Sequence, residues 1–513
     1  MWTTSLRADL TSQINFANLV KAGIEVAYSN LDLRYDQINF FVGGRNSVRQ
    51  KNDPIRGAIY IQDKLEAKGF ILSGGLRLDY TNSNMEWVDV SVFDRSYYST
   101  DYKPAIQYSM KKTKGQWSLS PRLSISHPIS ENSKLFFNYG HFKQLPSYEQ
   151  MFRIGRGNTG QASNIGDPNL ILAKTISYEL GYDQALFNNY LIQLAAYYHD
   201  IQDQQTYIKY ISSDSRANYT KATNQSYADI RGFELTLRKN TGRWWTAFAN
   251  YTYEVTTSGI FGYTFVYESI PMQVDWFRQN RGNLQQQRPQ PAPYARVDLA
   301  LHTPSGFGPE WLGMKPLQDW AMTLIGEWRS GGYFTWNENN LPGVSQNVQL
   351  TSFTNFTLRL NKTLDLKKFK VTFFMEVENL FNTKYLSGAG FYDALDQTAY
   401  LQSLHLPKSK AYKNIVGTDK IGAYRKCTEF QPMSQFQSID AYQGTPDPLV
   451  FYYEMSTKRY LQFANDAWGE VDKGRINKVL DDKAYIDMPN QTSFNFLNPR
   501  QIFFGIRTSF DLR

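Results

Sequence analysis

The sequence lacks the features on which several common protein classes depend. Of its 513 residues only Cys427 is a cysteine, which excludes a disulfide framework and a cysteine-based metal site. No stretch approaches the roughly 18 to 20 consecutive apolar residues that a transmembrane helix requires. Any segment that crosses a membrane must therefore be a β-strand.

Motifs for catalysis, metal binding and nucleic-acid binding are equally scarce. The five histidines are scattered without an HExxH pattern, and no serine lies in a GxSxG motif. The glycine-rich stretch at 155–160 lacks the Lys-Ser/Thr that completes a phosphate-binding loop. The net charge of +8 comes from 55 basic and 47 acidic residues dispersed along the chain, which does not favour nucleic-acid binding. We therefore predict no enzyme active site, no cofactor and no metal site.

What the chain has in abundance is aromatic side chains within a polar sequence. Phe, Trp and Tyr make up 15% of the residues, yet the mean hydropathy is −0.50, so apolar and polar residues must alternate. In the stretch 370–377, for example, Val371, Phe373 and Met375 alternate with Thr372 and Glu376. This period of two predicts a two-sided strand. Because the charged side cannot be a packed core, we expect lipid on the apolar side and water on the other.

About fifteen such strands follow one another, joined alternately by short turns and long loops. Their predicted bounds are 4–14, 20–33, 57–66, 70–80, 116–126, 134–140, 173–183, 190–202, 231–238, 245–253, 294–302, 319–329, 350–361, 368–379 and 499–510. In bacterial outer-membrane barrels the short turns face the periplasm and the long loops face outward. We therefore predict an all-β protein, an antiparallel transmembrane β-barrel. Since the first and last strands run in the same direction, an odd number of strands is expected before Met1.

The height of the apolar face agrees with a membrane. Trp320 and Trp328 share one face of a strand, eight residues apart, which at the usual rise and tilt is roughly 20 Å of height. Aromatic girdles flank an apolar band of about 25 Å in outer-membrane barrels. The alternative is a soluble sandwich with one buried face, but its strands would be shorter, and loops of roughly thirty residues would be unusual there.

Four stretches carry a resemblance to a known family. They are AIYIQDKLEAKGFILSGGLRLDY at 58–80, RGFELTLR at 231–238, ENLFNTKY at 378–385, which is the most specific, and NPRQIFFGIRTSF at 498–510. In them the chain resembles the C-terminal part of a TonB-dependent outer-membrane receptor, of the kind abundant in Bacteroidetes. The resemblance implies a barrel of about twenty-two strands, of which about fifteen, the eighth to the last, are present here. The plug domain and TonB-contacting box of the family are expected to be absent from this chain.

The resemblance also implies a function and partners. It implies an outer-membrane active-transport receptor that binds a scarce nutrient at its extracellular loops and imports it with energy coupled through TonB. The implied partners are outer-membrane lipid, the plug domain of the same full-length protein, the TonB complex through the missing N-terminal part, and a siderophore, glycan or peptide ligand. A surface lipoprotein is a further candidate partner, and no nucleic acid is expected. A passive porin-like or adhesin-like barrel and an outer-membrane enzyme remain as alternatives.

Two groups of residues are candidates for these roles. A barrel this wide is not filled by its own side chains, so a polar wall of mixed sign suits contact with a plug and water. The predicted lumen-facing residues are Arg77, Asp79, Arg122, Glu179, Glu234, Arg238, Arg296, Asp298, Glu327, Arg329, Arg359, Glu376 and Arg507. The predicted ligand-binding residues of the outward loops are Tyr148, Met151, Phe152, Arg153, Trp276, Phe277, Arg278, Tyr333, Phe334, Trp336 and Tyr392. Residues 386–497 are predicted to form a long extracellular insertion with a small structure of its own.

Overall fold

All fifteen predicted strands are present in the computed structural model. The structure describes residues 2–39, 44–67, 69–157, 159–279, 289–311, 315–334, 346, 348–349, 352–366, 369–383, 423–424, 431–482, 485–486 and 499–510. The strands are β1 (Trp2–Gln13), β2 (Asn18–Asn39), β3 (Ile55–Ala67), β4 (Phe70–Asn82), β5 (Gln116–Ser130), β6 (Ser133–Gln144), β7 (Ala173–Leu186), β8 (Tyr190–Ile211), β9 (Asn218–Lys239), β10 (Trp245–Ile260), β11 (Tyr294–His302), β12 (Trp320–Arg329), β13 (Phe353–Asp365), β14 (Phe369–Glu378) and β15 (Gln501–Phe510).

Helices and further short strands lie between these strands. The helices are α1 (Arg95–Tyr98), α2 (Tyr148–Phe152), α3 (Ile270–Gln279) and α4 (Lys473–Asp482), with a 3-10 turn at Ile439–Ala441. The short strands are Gly44–Asn52, Glu86–Val88, Met110–Lys112, Ile154–Arg156, Ala162–Ile165, Phe265–Tyr267, Gln290–Pro291, Tyr333–Phe334, Val348–Gln349, Ala423–Tyr424, Met433–Phe436, Phe451–Glu454, Arg459–Ala464, Ala467–Glu470 and Tyr485–Ile486. None of the helices in the described ranges is both long and apolar enough to cross a membrane.

Strands β8 and β9 are much longer than the alternation predicts. The sequence places their loop-side ends at 202 and 231, whereas the strands continue to Ile211 and begin at Asn218. The residues that follow Gln202 are polar, so the apolar–polar alternation that marks a strand stops there although the strand continues. In addition, Asp203 adopts a left-handed backbone conformation with φ of 57°. Beyond that point Tyr219 of β9 packs on the loop residue Tyr98, and Ile208 of β8 is fully buried, so neither side chain faces lipid. Alternation between lipid and water therefore no longer marks them.

The described chain divides into two compact units. The first comprises Met1–Ala185, Gln193–Phe233 and Glu254–Pro289. In it β1 to β7 pair antiparallel, each with the next along the chain. The register aligns Arg7 with Glu25, Glu25 with Ala58, and Ala58 with Asp79, so the polar side chains share one face.

The opposite face of this ladder is apolar and uncovered. Leu6 is 75% exposed, Ile59 is 56% exposed and Leu119 is 57% exposed. Soluble proteins rarely leave a contiguous apolar face of this kind in water, whereas a strand in a bilayer presents such a face to lipid. The lipid-facing row predicted by the alternation thus follows the strands of the first unit.

The second unit comprises Leu186–Ile192, Glu234–Tyr253 and Gln290–Arg513. Its strands β10 to β15 also pair antiparallel in chain order. Arg359 lies opposite Glu376 and forms a 3.0 Å ion pair with it on the polar face. Trp320 and Trp328 lie eight positions apart on β12, on the apolar face as predicted.

A small folded element lies within the long connection between β14 and β15. Strand Met433–Phe436 pairs with Phe451–Glu454, which pairs with Arg459–Ala464, which in turn pairs with Ala467–Glu470. Phe451 packs with residues of α4 on one side of this sheet, and Phe436 packs with Tyr452 on the other. The predicted local structure is therefore present at 431–482. The extracellular location of the whole insertion at 386–497 stays a prediction.

Candidate functional site

A polar cavity lies in the first unit near the end of the strands that bears the long connections, here termed the loop end. Its volume is about 380 Å³. The lining residues are Glu25, Ala27, Arg56, Gly57, Ala58, Arg77, Asp79, Tyr80, Thr81, Ser120, Arg122, Lys143, Leu145 and Leu172. The cavity contains three of the predicted lumen-facing residues, and the register of β2 to β5 brings them together.

The charges of the cavity are unbalanced. Arg77 donates a 2.8 Å hydrogen bond to Asp79 and lies 3.9 Å from a Glu25 carboxylate oxygen, so one cation serves both carboxylates. Arg122 lies over the ring of Phe142 at 4.8 Å. In the described part of the chain, Arg122 and the other two lining cations, Arg56 and Lys143, form no ion pair with a carboxylate. The cavity therefore offers positive charge to an anionic group.

An apolar core borders this cavity at the loop end. Phe152 is fully buried and packs with Met151 of the same helix, with Leu31 of β2 and with Leu170. Leu145, which lines the cavity, packs against this core. The core thus supports one wall of the cavity.

Helix α2, which carries Phe152, is short but well capped. The hydroxyl of Ser147 accepts a hydrogen bond from the backbone N–H of Gln150, and the Gln150 side chain accepts one from the backbone N–H of Ser147. This reciprocal capping box satisfies two backbone donors that the helix start would otherwise leave free. The arrangement fixes α2 where its apolar face meets the core.

A second core joins loop segments that are distant in sequence. Tyr98 stacks on Tyr219 with ring centroids 4.0 Å apart, and Tyr97 meets Tyr98 edge to face at 4.8 Å. Burial raises the pKa of the Tyr98 hydroxyl to about 12. The guanidinium of Arg156 lies 3.6 Å from the ring centroid of Tyr102 and donates hydrogen bonds to the backbone oxygens of Tyr97 and Gly160. These contacts hold the β4–β5 and β6–β7 connections together and against the start of β9.

Arg95 is the centre of an ionic network between three loop segments. It donates a 3.1 Å hydrogen bond to Asp214, a 2.9 Å hydrogen bond to the Ser213 hydroxyl, and two hydrogen bonds of 2.5 and 3.1 Å to the carboxylate of Glu268. The Arg95 hydrogen bonds, with the backbone N–H of Ser213, lower the pKa of Glu268 to about 2. Hydrogen bonds from Ser212 and Arg216 hold the pKa of Asp214 below its ordinary range.

These depressed pKa values predict an acid-sensitive loop contact. A carboxylate with a lowered folded-state pKa stabilises the fold above its unfolded pKa and loses that effect as pH falls through its folded pKa. Protection of the Ser213 amide, which donates to Glu268, should therefore hold from pH 7 to about 5 and fall as pH drops from about 4.5 towards about 2. Hydrogen exchange, corrected for the intrinsic rate at each pH, measures this protection.

Replacing Arg95 supplies the matched comparison. Arg95→Ala should lower the protection of Ser213 at neutral pH and move its loss upward, towards the ordinary carboxylate range. Arg231→Ala serves as the control, because Arg231 pairs with Asp229 at 3.1 Å and has no contact with this network. A pH profile that is identical in wild type and Arg95→Ala would contradict the assignment.

The predicted loop residues are not gathered at one place. Met151 and Phe152 are buried core side chains, which leaves them no surface for direct contact with a ligand in this structure. On the same helix, Tyr148 is half-buried against this core, and Arg153 pairs with Glu149. Ligand contact by Tyr148 and Arg153 stays a prediction.

The other predicted loop residues lie on separate segments. Helix α3 carries Trp276, Phe277 and Arg278, with Trp276 tilted against Phe265 at 5.6 Å and Phe277 47% exposed. In the second unit, Tyr333 and Phe334 form a two-residue strand. Trp336, Tyr392 and the Phe334 side chain lie outside the part that the structure describes.

The predicted lumen-facing residues all fall on the polar face of their strands. In the first unit these are Arg77, Asp79, Arg122 and Glu179, and in the second unit Glu234, Arg238, Arg296, Asp298, Glu327, Arg329, Arg359, Glu376 and Arg507. Several are paired across or along strands, as are Glu327 and Arg329 at 3.2 Å. Their contact with a plug stays a prediction.

Sequence reasoning missed the residues that organise the loop end. Arg95, Asp214 and Glu268 lie far apart in the chain, so no short sequence motif predicts that they are in contact. The adjacent tyrosines Tyr97 and Tyr98, within a polar loop, were the one available signal. In the described residues no group of three or more His, Cys, Asp or Glu side chains could hold a metal ion.

Comparison with known proteins yields one family and a set of distant structures. A family model described as "TonB dependent receptor-like, beta-barrel" matches residues 2–380. No curated protein gives a significant match.

Three solved structures illustrate the structural matches. The FrpB iron transporter of Neisseria meningitidis (F3-3 variant) is 13% identical, with a TM-score of 0.47 over 75% of this chain and 51% of that chain. The ferric-catecholate import receptor Fiu of E. coli K12 is 15% identical, with a TM-score of 0.46 over 75% and 51%. The ferric yersiniabactin uptake receptor FyuA of Yersinia pestis is 13% identical, with a TM-score of 0.45 over 77% and 50%. The chain thus spans about half the length of these receptors.

Proposed function

Because this chain belongs to the TonB-dependent receptor-like β-barrel family, we propose that it forms the barrel part of a receptor that binds a scarce nutrient at its loop end and imports it with energy coupled through TonB. The family is one of outer-membrane proteins, so the chain is an outer-membrane β-barrel protein.

The observation that carries the binding step is the polar cavity at the loop end. Its lining includes Arg56, Arg122 and Lys143, which form no ion pair with a carboxylate among the described residues, whereas Arg77 pairs with both Asp79 and Glu25. A concave site with convergent, uncompensated charge is suited to a ligand that supplies the opposite charge. The loop cores above it would limit access and hold the ligand.

The partners follow from the polar face of the strands. Its charges are of both signs, which suits contact with a plug domain of the same full-length protein and with water in a wide lumen. Coupling to the TonB complex would act through that plug. A surface lipoprotein that delivers the ligand is a further candidate partner at the loop end. The lipid-facing partner is the outer membrane itself.

The proposal is tested by uptake in cells that make the full-length protein. The probes are a radiolabelled ferric siderophore, a radiolabelled oligosaccharide and a radiolabelled peptide, each with and without a functional TonB gene. One probe should accumulate only when both the receptor and TonB are present. Accumulation that is equal without TonB would show a passive pore, and absence of uptake with cell attachment intact would favour an adhesin.

The cavity itself is tested by removing its charge. The double substitution Arg56→Gln and Arg122→Gln should lower uptake of the active probe at least tenfold, at roughly 1 kcal/mol or more each. Each substitution removes from the cavity wall one cation that has no carboxylate partner among the described residues. Arg7→Gln is the control, since Arg7 lies on the same face but is already hydrogen-bonded to Asp9 at 2.6 Å. Equal uptake by the double variant and the control would remove the cavity from the binding step.

A further inference from the structure

A second cavity lies in the second unit, on the apolar face of its strands and at the end that bears the short turns. Its volume is about 460 Å³. It is lined chiefly by apolar side chains from the turn ends of β7 to β10, among them Leu186, Tyr190, Leu237, Trp245, Ala247 and Ala249. The two small alanines follow Trp245 on the same face of β10 and leave a groove between larger neighbours. Leu237 is 44% exposed, so the groove opens outward.

One buried cation lies in this apolar groove. Lys239 ends β9 on the same face as Leu237, and only 8% of it is exposed. Its ammonium donates hydrogen bonds of 2.7 Å to the backbone oxygen of Thr241 and 3.0 Å to that of Trp245. It also lies 4.6 Å from the centroid of the Trp245 ring and 5.8 Å from that of Tyr190.

Among the described residues, no carboxylate balances the charge of this ammonium. No carboxylate of the described residues forms an ion pair with Lys239, and the turn 239–244 contains no acidic residue. An ammonium has three donors, and two of them are used. A buried cation without a counter-charge is unfavourable, so a ligand that brings an anionic oxygen to the third donor would be stabilised.

We infer that this groove binds one phospholipid molecule, with an acyl chain along Ala247 and Ala249 and the phosphodiester accepting a hydrogen bond from Lys239. The apolar side chains that line the groove suit the acyl chain, and the one buried charge, which is positive, suits the phosphodiester. The flanking Tyr190 and Trp245 are the residue types that membrane proteins place at the lipid headgroup level. Short turns face the periplasm in outer-membrane barrels, so the lipid belongs to the periplasmic leaflet.

This site is separate from the proposed transport site. It involves no residue of the loop-end cavity and lies on the face that the strands turn towards lipid. A bound lipid there would anchor the β8–β9–β10 turn end in the membrane. The inference therefore stands whether or not the receptor imports a nutrient.

The test is native mass spectrometry of the full-length protein in detergent, titrated with dioleoyl phosphatidylglycerol. Wild type should retain one phosphatidylglycerol molecule more tightly than the rest. Lys239→Gln should weaken that first binding step about fivefold, the usual effect of one Lys next to an anionic lipid surface. Ala249→Phe should abolish it, because the added ring fills the groove while Lys239 stays in place.

A control and a stability measurement separate lipid binding from a purely structural role. Lys134→Gln leaves the groove untouched, since Lys134 is a turn-end lysine that pairs with Asp183 at 3.1 Å, and it should bind phosphatidylglycerol as wild type does. Thermal unfolding without added lipid identifies any variant that fails to assemble. If Lys239→Gln fails to assemble, the phosphatidylglycerol affinity of Ala249→Phe alone tests the inference. The inference would be overturned if Ala249→Phe bound phosphatidylglycerol as tightly as wild type does. It would also be overturned if wild type bound lipopolysaccharide as tightly as phosphatidylglycerol.

Discussion

Leu358→Arg should destabilise the membrane-inserted protein by about 2–4 kcal/mol, the usual cost of an arginine near the bilayer midplane on the lipid side of a barrel strand. Leu358 lies near the middle of β13, where the ladder pairs it with Leu324 on one side and Val377 on the other. All three side chains share the apolar face. The free energy of unfolding, measured by urea titration in lipid vesicles, gives the cost.

The adjacent residue provides the matched control. Thr357 lies on the polar face, opposite Ile325 of β12, and Thr357→Arg places the same charge where water or polar groups can solvate it. Its cost should be far smaller than that of Leu358→Arg. Costs of similar size for the two variants would show that the apolar face of β13 does not meet lipid.

The strands were predictable because the alternation of apolar and polar residues within each strand indicates which of its faces meets lipid and which meets water. A period of two between apolar and polar residues needs no information from elsewhere in the chain. The ladders accordingly reproduce the predicted faces, as the alignment of Glu25 with Ala58 and of Ala58 with Asp79 shows. The same rule failed for the outer parts of β8 and β9, where Ile208 is fully buried and Tyr219 packs on Tyr98 of the β4–β5 connection. There the burial pattern depends on partners that local sequence does not reveal.

The loop end was predictable only in part for the same physical reason. Sequence reasoning selected mixed aromatic and polar loop residues as ligand contacts, yet solvent exposure depends on tertiary packing. Met151 and Phe152 have the right chemistry but are buried, whereas Arg56 and Lys143 line a cavity and were not selected. Strand alternation fixes the direction of a side chain, which is why the sequence predicted the polar-face position of Arg77, Asp79 and Arg122.

Each of the two proposed binding sites lies on a different face of the strands. The polar face carries the loop-end cavity, where three cations lack a carboxylate partner among the described residues. The apolar face carries the groove around Lys239, at the turn end of β9. A ligand in water would therefore meet the polar face of the first unit, and a lipid in the membrane would meet the apolar face of the second unit. Substitutions at one site should leave the other unaffected, since separate sites act additively.

Phe152→Ala should unfold the loop core locally at a cost of about 3–5 kcal/mol, the usual range for deleting a buried aromatic ring. Phe152 is fully buried against Leu31, Met151 and Leu170. Hydrogen exchange should show loss of protection at the amide of Arg153, which donates to the Glu149 carbonyl in α2. Amides of the β3–β4 ladder should keep theirs, because that ladder does not depend on this core.

The same variant links loop packing to ligand uptake. Leu145 contacts the core and lines the cavity, so loss of the Phe152 ring should disturb the cavity wall and lower uptake of the active probe in cells. Phe187→Ala is the control, because Phe187 is 85% exposed and its removal creates no cavity. If Phe152→Ala unfolded the strands and loops together, the loop core would be part of one cooperative unit with the barrel. If uptake stayed unchanged while the Arg153 amide lost protection, the core would not support the binding site.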